Sequence, residues 1–166
     1  MTLQTILPVQ AAQIKEWAEA RSEAAWLTER RLQALELAAS LELPKPEKTK
    51  LDRWDLSAYG TFKAGTTVSS REDLPTATKE FVEEGTHNLI VQHNSGVVYT
   101  NLSEELRAQG VIFMDLETAA REHEVLVKKH LGTAVKASEH QVSALHYAAW
   151  NGGVFLYVPK NVEVEV

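Results

Sequence analysis

Six histidines are the residues of this chain best suited to bind a metal or move a proton near neutral pH, so their spacing decides what chemistry is open. His123-Glu124 followed by His130 invites comparison with the zinc-binding helix H-E-x-x-H. The spacing fails, because chelation from one helix face needs histidines four apart, and these stand seven apart with Glu124 pointing elsewhere. They read as solvated polar residues flanking Leu126 and Leu131. His140 and His146 stand six apart on a predicted helix and so face different ways. His146, beside Leu145 and Ala149, reads as a satisfied, half-buried histidine. His87 and His93 fall on one face of a predicted strand, without a carboxylate or third ligand near them in sequence.

Other chemistries are no better served. The chain has no G-x-S-x-G nucleophile elbow and no G-x-x-x-x-G-K-[ST] phosphate loop. Gly152-Gly153 is too short to cradle a phosphate and reads as a helix stop. Glu42, Glu47, Asp52 and Asp55 are scattered along a loop, not paired on a periodic element, so paired-carboxylate catalysis is not indicated. Trp26 and Trp54 could stack a ligand, but they read as aromatic anchors of a core. No catalytic, cofactor-binding or metal-binding residue is assigned. The expectation is a protein without enzymatic activity. Its alternative is a small stand-alone metal protein or enzyme that uses the histidines and would carry bound metal.

The elements around these residues alternate between helical and extended patterns. A first helix is predicted from Pro8 to Arg21, with Ile14, Trp17 and Ala18 on one face. A second spans Ala24 to Leu41, apolar along Trp26, Leu27, Leu32, Leu35, Ala38 and Ala39, and wet along Glu29, Arg30, Arg31 and Glu36. Leu43-Pro44-Lys45-Pro46 ends it. Residues 45–69 have no clear period and carry Trp54, Tyr59 and Phe62. Ser70-Arg71-Glu72-Asp73 opens a short third helix that contains Pro75 and stops at Gly85. Segments 87–93 and 97–101 flank Asn94-Ser95-Gly96, a hairpin signal. A short helix from Ser103 to Gln109 closes at Gly110, and Val111 to Met114 is a buried-strand candidate. Asp115 reads as the cap of a helix over 116–131 that ends at Gly132. Ser138-Glu139-His140-Gln141 reads as a capping box for a last helix through Trp150. Strands begin after Asn151-Gly152-Gly153, and Val162-Glu163-Val164-Glu165-Val166 alternates as a half-buried strand does.

Composition narrows the class further. The 166 residues are 44% hydrophobic with four tryptophans, enough for a packed core. A net charge of -6 argues against nucleic acid or an anionic membrane as partner. Cysteine is absent, which removes disulfides, thiolate chemistry and cysteine-held clusters from this stretch of chain. No apolar run approaches the ~20 residues a membrane helix needs. MTLQTILPVQ lacks the basic and long apolar regions of a signal peptide, so the expected compartment is the cytoplasm.

Four blocks together resemble one family. Trp26-Leu27-Thr28-Glu29-Arg30-Arg31-Leu32-Gln33-Ala34-Leu35 is similar to the W-L-x-x-x-R-x-x-A-L helix of the SufB/SufD iron–sulfur cluster assembly proteins. The segment from Leu43 to Leu51, with Trp54, resembles the L-P-x-P…W stretch that follows it there. Gly110 to Ala119 resembles G-V-I-F-x-D-L-x-T-A, and Leu145 to Lys160 resembles L-x-x-A-x-W-x-G-G-x-F-x-Y-V-P-K. The blocks stand in order from Trp26 to Lys160. The lack of cysteine and the Glu47-Lys48-Thr49 stretch favour the SufD side over a SufB-like chain. Glu23-Ala24-Ala25-Trp26 departs from the pattern, since many relatives carry a proline before the tryptophan.

The resemblance implies an α+β chain: a mainly helical N-terminal domain over 1–150 with a small hairpin region, leading at 151–166 into the first strands of a truncated right-handed parallel β-helix. It implies a non-catalytic scaffold subunit of a SufBCD complex, with SufB-like and SufC-like partners. It implies no cofactor in this stretch, the iron–sulfur cluster and ATP being handled by the full complex. A solenoid strand at 162–166 without its next coil is expected to fray or to self-associate.

Overall fold

The computed structural model describes residues 7–53, 65–83 and 85–164. It is an α+β chain divided into two compact units, one made of Met1–Thr61 with His123–Trp150 and the other of Phe62–Glu122 with Asn151–Val166. Trp54, Tyr59 and Phe62, expected as anchors of the irregular segment, lie outside the described residues, as do Glu165 and Val166.

The first unit is helical. α1 (Ala11–Ala20) and α2 (Ala25–Ser40) pack on each other, and α2 packs most extensively on α7 (Gln141–Ala149). Their shared core contains Val9, Ile14, Ala34, Leu35 and Ala148, joined by Ala38, Ala144 and Leu145. Ile14 and Ala18 are buried with Trp17 packed beside them, so the face predicted for the first helix is the one used. On α2 the predicted stripe needs two corrections: Ala39 is exposed, and Arg31, placed on the wet side, is buried.

The last helix starts later than its sequence suggests. Residues 137–139 form turns and a bend, and His140 takes the cap position, its Nδ1 accepting the Ser143 N–H at 3.0 Å. The predicted box at Ser138 loses because the start of α7 is fastened elsewhere. The Gln141 side chain donates to the Ala38 carbonyl at 2.8 Å, and its backbone N–H donates to the Glu42 carbonyl at 2.9 Å. These bonds satisfy groups at the end of α2, and they set the register.

The second unit holds two small antiparallel sheets. β1 (Leu89–His93) and β2 (Gly96–Asn101) form the expected hairpin. Asn94 and Ser95 have φ of 52° and 67°, the left-handed pair that a two-residue turn of the right twist requires. A bulge lies between Val91 and Gln92. Leu74, Val91 and Val98 form the core beneath this hairpin. The helix predicted from Ser70 breaks into a 3-10 turn, Arg71–Asp73, and a short α3 (Thr76–Lys79). Pro75 is the reason: it holds Leu74 extended at ψ 145° and donates no hydrogen bond.

α4 (Glu104–Ala108) is capped by the Ser103 hydroxyl, which accepts the Leu106 N–H at 3.3 Å, and Gly110 follows at φ +84°. β3 (Ile112–Asp115) then pairs antiparallel with β4 (Val154–Tyr157). Expected to be buried, β3 is half-buried along its length, and only the preceding Val111 is fully covered. Beyond β4, residues 162–164 form no regular strand, although Val162 and Val164 are half-buried and Glu163 is exposed.

The single helix expected over 116–131 is two, α5 (Leu116–Glu122) and α6 (Glu124–His130), parted at His123. Their apolar faces serve different units. Ala119 and Ala120 are buried where α5 packs on β3 and β4, and Val127 is the buried residue of α6.

Candidate functional site

The histidines do not converge. His123 is half-buried at the break between α5 and α6, His130 is exposed at the end of α6, and Glu124 pairs with Lys128. His146 is exposed, not half-buried as expected, and its ring meets Tyr147 edge-on at 6.2 Å. His87 lies two residues before β1 begins at Leu89, so strand alternation does not place it on a common face with His93. Among the described residues no three His, Asp or Glu side chains form a group able to hold a metal ion.

Of the scattered loop acids, Glu42 has a partner, Lys45, at 2.9 Å. The bond from Lys45, and then its charge, hold the Glu42 carboxyl below its ordinary range and the Lys45 ammonium above its own. A depressed carboxyl would favour folding above its unfolded pKa and lose that effect as pH falls. Both groups are fully exposed, so water screens the pair and no stability follows from it. Lys45→Met is expected to raise the Glu42 titration midpoint in an NMR pH series while leaving the melting temperature at pH 7 unchanged.

The dominant polar feature is buried. Arg31 and Glu23 are 4% and 3% exposed, and the Arg31 Nε donates to both carboxylate oxygens of Glu23, at 3.1 and 2.9 Å. The Thr28 hydroxyl donates to the same carboxylate at 3.0 Å. Arg31 Nη1 reaches across to α7, donating to the Trp150 carbonyl at 2.6 Å and the Ala148 carbonyl at 3.4 Å. The guanidinium carbon lies 4.1 Å from the centre of the Trp150 ring. The Ala148 carbonyl belongs to the negative end of α7, where a cation is favoured, and the Trp150 carbonyl lies just beyond it. The arrangement is a fastening between the α1–α2 turn, α2 and the end of α7, with the donors of Arg31 turned inward and not toward a substrate.

Sequence reasoning missed this cluster, yet its signal lay in the blocks that carry the resemblance. In W-L-x-x-x-R-x-x-A-L, Leu27, Arg31, Ala34 and Leu35 are all buried, and the arginine is the centre of the network. In L-x-x-A-x-W-x-G-G, Leu145 and Ala148 are buried, and Trp150 supplies the ring and carbonyl that Arg31 holds. A Cβ on Gly152 would fall 1.6 Å from the Ser95 carbonyl oxygen. In the D-L-x-T-A block, the Asp115 carboxylate accepts the Thr118 N–H at 2.8 Å and caps α5, above a fully buried Ala119.

The whole pattern has a match. Residues 12–166 fit the family described as SufBD protein, N-terminal region. The chain belongs to the SufBD family. The iron–sulfur cluster assembly protein SufD of Bacillus subtilis is 45% identical to it over 99% of this chain and 39% of its own length. A SufBD family protein of Mycobacterium tuberculosis is 34% identical over 93% of this chain and 20% of its own length. One from Staphylococcus saprophyticus is 31% identical over 92% and 35% respectively. The chain therefore spans about two fifths or less of the SufBD relatives it matches. Three of the four SufBD blocks, those at Trp26, Gly110 and Leu145, are explained by packing, capping and close approach of backbones.

Trp26 opens the first SufBD block. It is half-buried, with the Lys128 ammonium 5.2 Å from its ring centre. Trp26→Ala is expected to cost about 1–2 kcal/mol in a urea melt, less than the ~3–5 of a fully buried tryptophan. An unchanged midpoint would show that the ring contributes nothing to folding.

Proposed function

We propose that this chain is the N-terminal domain of a SufD-like subunit of an iron–sulfur cluster assembly complex, and that it is a scaffold without catalysis of its own. The observation that carries this reading is the 45% identity to the Bacillus subtilis SufD along 99% of the chain. The family resemblance supplies the rest of the picture. A right-handed parallel β-helix follows in the whole subunit, SufB-like and SufC-like proteins are its partners, and the assembled complex handles the cluster and ATP in the cytoplasm. The domain itself holds no cofactor, and the ATPase contact belongs to another part of the subunit.

A chimera tests it. Residues 1–166 replace the corresponding part of the Bacillus subtilis SufD in a strain lacking that gene, and iron–sulfur enzyme activity is measured in extracts. Restored activity is the expected result, whereas a soluble chimera that restores none would overturn the reading. The isolated chain is expected to purify with only traces of iron and zinc. Near-stoichiometric metal on elemental analysis would instead favour the histidine-dependent metal protein.

A further inference from the structure

Among the described residues the hairpin has one unpaired edge. β1 pairs with β2 on one edge, and no strand among the described residues pairs with it on the other. The outer side of β2 is already engaged, since the Val68 N–H donates to the Val98 carbonyl at 2.8 Å. Along β1 runs a groove of ≈ 510 Å³, walled on one side by Leu89 to Gln92 and on the other by the segment carrying Phe81, Val82 and Glu83. Phe81 is 85% exposed, the most exposed large apolar residue among those described.

That ring is held out on a fastened loop. Arg71 donates to the carbonyls of Val82 at 2.9 Å, of Glu83, and of Thr86 at 3.5 Å. An arginine spent on three carbonyls of one loop presets its shape, and preset loops bind with less ordering cost. Exposed aromatics beside a free strand edge are the elements of recognition by strand addition: main-chain bonds along the edge, and an apolar anchor next to it.

Charge selects the occupant. Glu83 is the charged residue of the groove lining, and Glu80 and Glu83 bracket Phe81 and Val82, both exposed. Lys79 is the exposed cation beside them, and Arg71 is committed to backbone. A second copy of this chain would bring glutamates against glutamates, on a molecule of net charge -6. We propose that the free edge of β1 and Phe81 form a docking groove for an extended, cationic segment of a partner protein, alternating Lys or Arg with apolar residues. The groove is independent of the assembly role proposed above.

The probe is a fluorescein-labelled Lys-Val-Lys-Ile-Lys-Val-Lys peptide titrated with the whole chain and followed by anisotropy. Binding is expected to be at least about tenfold tighter than for the Glu-for-Lys counterpart, a difference of ~1.4 kcal/mol. It is expected to fall by a similar factor for Phe81→Ser, whose exposed ring leaves the fold intact, and for Glu80→Gln/Glu83→Gln. A peptide with alternate backbone amides N-methylated, unable to pair along an edge, should bind as weakly. Equal binding of the acidic peptide, or undiminished binding by the Phe81→Ser chain or of the N-methylated peptide, would overturn the proposal. So would a dimer of the chain alone, seen by sedimentation, that Phe81→Ser dissolves.

Discussion

Glu23→Ala is expected to lower the stability of the chain by about 3–5 kcal/mol, the largest loss from any single surface-distant polar change here. The carboxylate is 3% exposed and accepts three bonds, two from Arg31 and one from Thr28. Removing it leaves a guanidinium that is 4% exposed without its counter-charge, and an uncompensated buried charge is what makes half of such a pair so costly. Arg31→Met is the mirror case, stranding the carboxylate and freeing the Trp150 carbonyl. The double variant Glu23→Leu/Arg31→Met should be less destabilised than either single one, because no buried charge remains. It still lacks a donor for Trp150, a residual cost of ~1–3 kcal/mol. Urea midpoints of the three variants measure this. If both single variants stayed within about 1 kcal/mol of the parent, the pair would be energetically idle, as exposed pairs are.

Gly152→Ala is expected to cost ~3 kcal/mol or more, at the upper end for overpacking. The added methyl would lie 1.6 Å from the Ser95 carbonyl oxygen and 2.7 Å from its carbon. These are backbone atoms of a turn whose two residues already hold left-handed φ, so the turn cannot slide aside without losing its register. Gly153→Ala provides the contrast, because its nearest neighbours are Leu116 Cδ2 at 3.0 Å and Cβ at 3.2 Å, side-chain contacts that a shift of a few tenths of an ångström relieves. A thermal melt should therefore show a large drop for position 152 and a small one for 153. Equal drops at the two positions would mean that loss of glycine freedom, not the approach to Ser95, sets the cost.

Much of the fold was legible because local signals and packing agree. The Asn94-Ser95 turn, the Asp115 cap and the apolar face of α1 stand where pattern and turn chemistry put them. The failures occur where distant partners intervene. Ser138 heads a good capping box, but Gln141 is bonded to the end of α2, and the helix begins there instead. Arg31 sits among charged residues that favour water, and nothing local reveals that Glu23 and the end of α7 will enclose it. Histidine spacing over 87–93 failed because the strand begins only at Leu89, a boundary that period-two reasoning cannot fix. The candidate functional groups fared worst, since a groove beside an open edge is created by the packing of several segments.

The helical unit is assembled from both flanks of the sequence, and time enters its folding through that arrangement. Arg31 and Trp150 are 119 positions apart. At ~5–20 residues per second of synthesis, α2 leaves the ribosome roughly 6–24 s before the helix it packs on exists. During that interval the Phe62–Glu122 segment of the second unit emerges, while its Asn151–Val166 segment follows α7. Throughout the wait the apolar stripe of α2, with Ala34, Leu35 and Ala38, has α1 beside it but lacks the cover that α7 supplies in the finished unit.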